Sequence, residues 1–198
     1  MPSDYALLKM HTIPELGGDT LWSSAYSSYD KLSPAMREFL GSLKAVHHAP
    51  TFQDAKRVYG LKFRGEKETD EGRGADQNRG GHLKAVHPVI RTNPVTGWNG
   101  VFVNRAFTKR IVGLTVDESR SILEYLFRLQ ESHDLTVKYQ WQRNDLAIWD
   151  NRSTFHAPTN DHNEIRRGDR VLGIGEIPFY SQSGKSRAAD LKERQLRV

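Results

Sequence analysis

Apolar and polar residues alternate with a period of two along several short stretches of this chain, while helical spacing occurs in only a few. A strand is expected over residues 5–13, before Pro14 and Gly17-Gly18 punctuate the chain. Asp19 or Thr20 then caps a predicted helix whose Leu21, Trp22, Ala25, Tyr26 and Tyr29 share one face. Ser33-Pro34 opens another helix, with a capping hydroxyl and a proline at the first helical position. Its buried stripe is Met36, Phe39, Leu40 and Leu43. Residues 44–48 read as a strand. Residues 60–81 are rich in Gly, Arg, Glu and Asp and predict a loop. A loop of that length is usually a functional lid or disordered, and both alternatives stand.

Strand character resumes over residues 82–90, and Asn93-Pro94-Val95-Thr96-Gly97 is a turn leading into a strand over 100–104. Thr115-Val116-Asp117-Glu118 is a capping box. The helix behind it buries Ile122, Leu126 and Leu129, with Leu123 flanking, and ends near His133-Asp134. Residues 135–141 alternate cleanly, placing Val137, Tyr139 and Trp141 on one face. A turn at Arg143-Asn144-Asp145 starts an apolar strand over 145–149, and a return strand covers 170–175. Residues 181–198 are polar and basic, expected as a loose tail or a surface helix. Short strands and few long helices predict a mainly β fold with helices packed outside.

Composition narrows this picture. A 198-residue chain that is 37% hydrophobic and 27% charged fits one globular domain rather than a disordered chain. No apolar run reaches the ~20 residues of a membrane span, and no charged-then-apolar leader is evident. With no cysteine, disulfides and thiolate metal sites are excluded, and the cytoplasm is the default compartment. The net charge of +5 is spread along the chain, densest over residues 185–197, without the interleaved aromatics of a nucleic-acid surface. It reads as solvated surface, part of which serves anionic small molecules.

The candidate chemistry lies in Trp149-Asp150-Asn151-Arg152-Ser153-Thr154-Phe155-His156, followed by Arg166-Arg167-Gly168-Asp169-Arg170. A histidine delivered by an apolar strand, with arginines ten to fourteen residues on, can place one metal ligand beside an anion clamp. If the strands over 145–149 and 170–175 pair as neighbours, His156 and the arginines share one mouth. The pairs His47-His48 and His82 with His87 lack a nearby carboxylate and are read as structural. Thr20 by itself reads as a helix cap.

These residues resemble a known family. The stretch from Trp149 to His156 with the R-x-x-x-R pair is similar to the C-terminal signature of the taurine/2-oxoglutarate dioxygenases, the TauD/TfdA group. Gly17-Gly18-Asp19-Thr20-Leu21-Trp22, His87-Pro88-Val89-Ile90-Arg91-Thr92 and Phe102-Val103-Asn104 resemble the same family in the same order. The resemblance implies a double-stranded β-helix, or jelly roll, over residues 1–180. It implies an Fe(II) centre with His156 as its third protein ligand, and O2 and 2-oxoglutarate as co-substrates. Thr20 and Arg166, with Arg167 as the fallback, would bind 2-oxoglutarate, and Arg170 would face the substrate's sulfonate or carboxylate. The implied reaction hydroxylates a small anionic substrate, taurine-like, while 2-oxoglutarate is decarboxylated to succinate.

The family's iron site also uses a His-x-Asp pair, and no His-x-Asp occurs in this sequence. The expectation is therefore a jelly roll incomplete at its N-terminus, inactive by itself. Its open sheet edge would be prone to association, including into a homo-oligomer. The alternative is a non-catalytic module that binds a small anion or a partner chain.

Overall fold

In a computed structural model, the structure describes residues 1–48 and 84–196. The loop expected over 60–81 and His82 lie outside the described residues.

Eleven strands and four helices are described. The strands are β1 (Tyr5–Thr12), β2 (Thr20–Ser24), β3 (Lys44–His48), β4 (Lys84–Pro88), β5 (Ile90–Thr92), β6 (Asn99–Val101), β7 (Thr108–Ile111), β8 (Thr136–Tyr139), β9 (Leu146–Asp150), β10 (Thr154–Pro158) and β11 (Arg167–Leu172). The helices are α1 (Ala25–Asp30), α2 (Pro34–Gly41), α3 (Val116–Gln130) and α4 (Arg187–Gln195). The chain is mainly β with packed helices, as its short alternating stretches predict.

Two three-stranded sheets carry the chemistry-bearing residues. One has the order β11-β1-β9 and the other β10-β2-β8, all antiparallel. Here the structure corrects three expectations. The strands β9 and β11 are not neighbours, because β1 lies between them. His156 does not end β9; it sits on its own strand, β10, in the other sheet. Residues 20–24 are a strand rather than the first turn of a helix, so Thr20 caps nothing. Flanking by β10 and β8 supplies ladder hydrogen bonds on both edges, and that non-local pairing overrides local helical spacing. The helix starts one turn later, where the Ser24 hydroxyl accepts from the Ser27 N–H at 3.2 Å.

The apolar core forms elsewhere. Leu40 from α2, Ala45 from β3, Val89, Ile90 from β5, Val101 from β6, Ile111 from β7, and Leu123 and Leu126 from α3 are all at most 4% exposed. The stripe of α3 is therefore centred on Leu123, Leu126 and Phe127, with Ile122 and Leu129 only partly buried. In α2, Leu40 is buried but Phe39 is exposed. The capping box forms in full: the Thr115 N–H donates to Glu118 Oε2 at 2.9 Å, and the Glu118 N–H donates to Thr115 Oγ1 at 3.4 Å. Thr115→Ala is expected to lower stability by about 1 kcal/mol, measured by urea denaturation. Of the two alternatives for the C-terminal residues, the helix forms. Asp190 of α4 accepts from Trp98 Nε1 at 2.8 Å, and the Ser186 hydroxyl donates to Asp30.

Candidate active site

Antiparallel register decides which side chains face one another, because residues alternate between the two faces of a strand. In the first sheet Ala6 lies across from Trp149 and Leu172, and Leu8 across from Ala147 and Arg170. Ala6, Met10 and Trp149 are buried, so this face points inward along β1 and β9, while Arg170 on the same face of β11 is exposed. In the second sheet His156 lies across from Trp22, and Pro158 and Tyr139 lie across from Thr20. The two faces meet. The Trp149 ring stands 4.8 Å from the His156 ring and 5.5 Å from the Trp22 ring, both edge-on.

His156 is half-buried in this space. Burial, and then the Arg170 charge, hold its imidazole below its ordinary value and favour the neutral, ligating form. Arg170 comes from the other sheet, so its charge reaches His156 from across the two sheets rather than along one. Thr20 sits diagonally from His156 on the same face, a relation that spans roughly 7–8 Å.

Arg166 reaches Thr20 from the chain segment entering β11. Its Nε donates to the Gly18 carbonyl at 2.7 Å and its Nη2 to Thr20 Oγ1 at 3.3 Å. Burial pushes its guanidinium down, and Asp19 offsets part of that. Arg166 and Arg170 have no ion pair among the described residues, which leaves two cations at the mouth without carboxylate partners. Arg167, the first residue of β11, is exposed, with no contact to Thr20 among the described residues.

The turn before Thr20 is tied to the loop after His156. The Gly18 N–H donates to Asp161 Oδ1 at 2.9 Å, the Thr159 N–H to the Asp19 carbonyl at 2.9 Å, and the Glu15 N–H to Glu164 at 2.9 Å. Gly18 has φ +69°, and a Cβ there would stand 2.9 Å from Pro14 Cγ and 3.0 Å from Arg166 Cδ. Glycine is thus required both by the left-handed backbone and by the packing of Arg166. Sequence reasoning missed Asp161 and Trp141. The Trp141 Nε1–H donates to Thr20 Oγ1 at 2.9 Å, with both residues buried. The strand alternation placed Trp141 on the face of Tyr139 but could not show what that face touches. A cleft of about 380 Å³ runs behind this turn, beside Pro14, Gly18 and Trp141, but neither His156 nor Arg170 lines it.

As to a metal, a neutral imidazole at His156 has the chemistry of one ligand. Among the described residues no group of three His, Cys, Asp or Glu side chains could hold an ion. The residues present therefore do not by themselves fit a complete iron centre. His47 and His87 do meet, with ring centroids 5.2 Å apart and Phe102 against both. Burial, and then the charge of His87, lower His47 to about 4; burial also lowers His87. A histidine held neutral in the fold stabilises fully above its ordinary value of 6.5, and that contribution is lost as pH falls toward about 4. Urea midpoints should therefore fall between pH 6.5 and 4, and His47→Gln should flatten that slope.

Comparison with known proteins identifies the family. Residues 1–173 match the family described as "Taurine catabolism dioxygenase TauD, TfdA family". The chain belongs to this family. It is 39% identical to the alpha-ketoglutarate-dependent dioxygenase oryG of Aspergillus oryzae, over 94% of this chain and 54% of that protein. It is 31% identical to an alpha-ketoglutarate-dependent sulfonate dioxygenase of Saccharomyces cerevisiae, over 89% of this chain and 40% of that protein. A taurine dioxygenase crystal structure from Burkholderia xenovorans superposes with a TM-score of 0.72 at 31% identity, covering 93% of this chain and 56% of the other. The chain spans about half the length of the curated relatives it matches. No helix among the described residues is long and apolar enough to cross a membrane.

Proposed function

We propose that this chain supplies the 2-oxoglutarate clamp, one iron ligand and a substrate-anion contact of an Fe(II)/2-oxoglutarate-dependent dioxygenase acting on a small sulfonate. The observation that carries this reading is the convergence of Arg166 on Thr20, 3.3 Å apart, on the sheet face that holds His156. A guanidinium matches a carboxylate with two parallel hydrogen bonds, which a lysine cannot do. In this reading Arg166 and Thr20 hold a carboxylate of 2-oxoglutarate, and Arg170, beside His156, faces the anionic group of the substrate. The two facing sheets are the part of a double-stranded β-helix that holds these groups. Iron, when bound, supplies the oxygen chemistry. The chain's own part is to orient the two anions and to shield His156 behind Trp149 and Trp22.

Sulfonate is favoured over other anions by the names of two yeast relatives, one named a sulfonate dioxygenase and the other a putative one. A second reading, an anion-binding module without turnover, is favoured by the absence of a three-ligand metal group among the described residues. Titration separates them. Calorimetry with 2-oxoglutarate should show saturable one-to-one binding that weakens with salt; no binding sinks both readings. Anaerobic addition of Fe(II) with 2-oxoglutarate then reads the metal. A visible charge-transfer band saturating near one iron per chain favours the dioxygenase, and binding without a band favours the module.

A further inference from the structure

We infer that Trp141 is a positioning residue that fixes the Thr20 hydroxyl as a hydrogen-bond donor, and so selects an anionic acceptor at this point of the site. The inference rests on the 2-oxoglutarate reading above and adds the residue that sets the polarity of the clamp.

A threonine hydroxyl has one hydrogen to give and two lone pairs to receive with. At Thr20 both lone pairs are engaged. The Trp141 Nε1–H donates to Oγ1 at 2.9 Å, and Arg166 Nη2 donates to the same oxygen at 3.3 Å. Neither group can accept in return, because an indole N–H and a guanidinium are donors only. The hydroxyl hydrogen must therefore point at a third partner. No acceptor for it exists among the described residues, so the bond is left for a ligand. Because Thr20 is only 3% exposed, a donor held there favours an oxygen acceptor, and a carboxylate most strongly.

The indole is held so that it cannot turn away. Its ring stands 6.0 Å from Trp22 and 5.2 Å, edge-on, from Tyr139, and the residue is 4% exposed. Without the indole N–H one lone pair of Oγ1 is released, and the hydroxyl can rotate to serve as an acceptor. The clamp then loses its preset direction, although Arg166 keeps its charge.

The test is a double-mutant cycle read by calorimetry with 2-oxoglutarate on the metal-free chain. Trp141→Phe should weaken binding roughly 3- to 10-fold, and Thr20→Val roughly 10-fold. Thr20→Ser, which keeps the hydroxyl, should bind nearly as the unaltered chain does. In the Thr20→Val background, Trp141→Phe should change affinity no further, because its only route to the ligand is gone. Additive losses would show that Trp141 acts through packing and would overturn the inference. A second reading needs no ligand: the Trp141 indole N–H should be protected from hydrogen exchange, and Thr20→Val should abolish that protection. This arm also serves if Trp141→Phe does not fold. An unprotected indole in the unaltered chain overturns the positioning role alone. Failure of the unaltered chain to bind 2-oxoglutarate overturns the functional reading instead, and with it the ligand named here.

Discussion

Arg166→Ala should lower the affinity for 2-oxoglutarate by about 100-fold, close to 3 kcal/mol, which is typical when one partner of a desolvated charge pair is removed. The guanidinium is half-buried, touches the Gly18 carbonyl and Thr20, and has no carboxylate of its own among the described residues. Its charge is therefore available to a ligand rather than spent within the fold. Arg166→Lys should recover part of the loss through charge but not the paired geometry. Arg167→Ala, one residue on and exposed, should change affinity little. Equal losses at Arg166 and Arg167 would mean that surface charge, rather than the clamp, governs binding. Calorimetry at two salt concentrations distinguishes the cases, since only the surface effect is strongly screened.

Glu176→Ala should destabilise the fold by about 3 kcal/mol, because it strands a buried cation. Arg91 is 1% exposed, and its Nη2 donates to Glu176 Oε1 at 2.6 Å. Its guanidinium also lies 4.9 Å above the Phe102 ring, while Nε and Nη1 have no hydrogen-bond partner among the described residues. Arg152, in the motif that leads to His156, lies 3.7 Å from the same glutamate and is already chelated by Asp150 and bonded to the Tyr5 hydroxyl. Glu176 thus pairs with Arg91 and, together with Asp150, offsets the repulsion between Arg91 and Arg152. Combining Glu176→Ala with Arg91→Met should restore much of the loss, since it removes the stranded charge as well. A loss below about 1 kcal/mol for Glu176→Ala by urea denaturation would contradict the role given to this ion pair.

Arg91 and Arg152 also show how far the motif residues could be read from the sequence. Both lie in stretches that resemble the family, and nothing in their spacing separates a ligand-binding arginine from a structural one. Burial and partners separate them: Arg91 and Arg152 are paired with carboxylates, whereas Arg166 and Arg170 have no ion pair among the described residues. The histidines show the same limit. His47 and His87 look as polar as His156 in the sequence, yet they meet one another and Phe102, while His156 meets Trp149 and feels the Arg170 charge.

What the sequence determined by itself was local. The cap at Ser33 and the capping box at Thr115 and Glu118 depend on residues a few positions apart. Their physics is contained in short-range hydrogen bonds. The tertiary structure decided what depends on distant partners. It made residues 20–24 a strand, inserted β1 between β9 and β11, moved His156 onto its own strand, and brought Trp141 onto Thr20 across 121 positions. Strand pairing and the direction of a buried hydroxyl are set by the neighbour across the sheet, and local sequence does not name that neighbour.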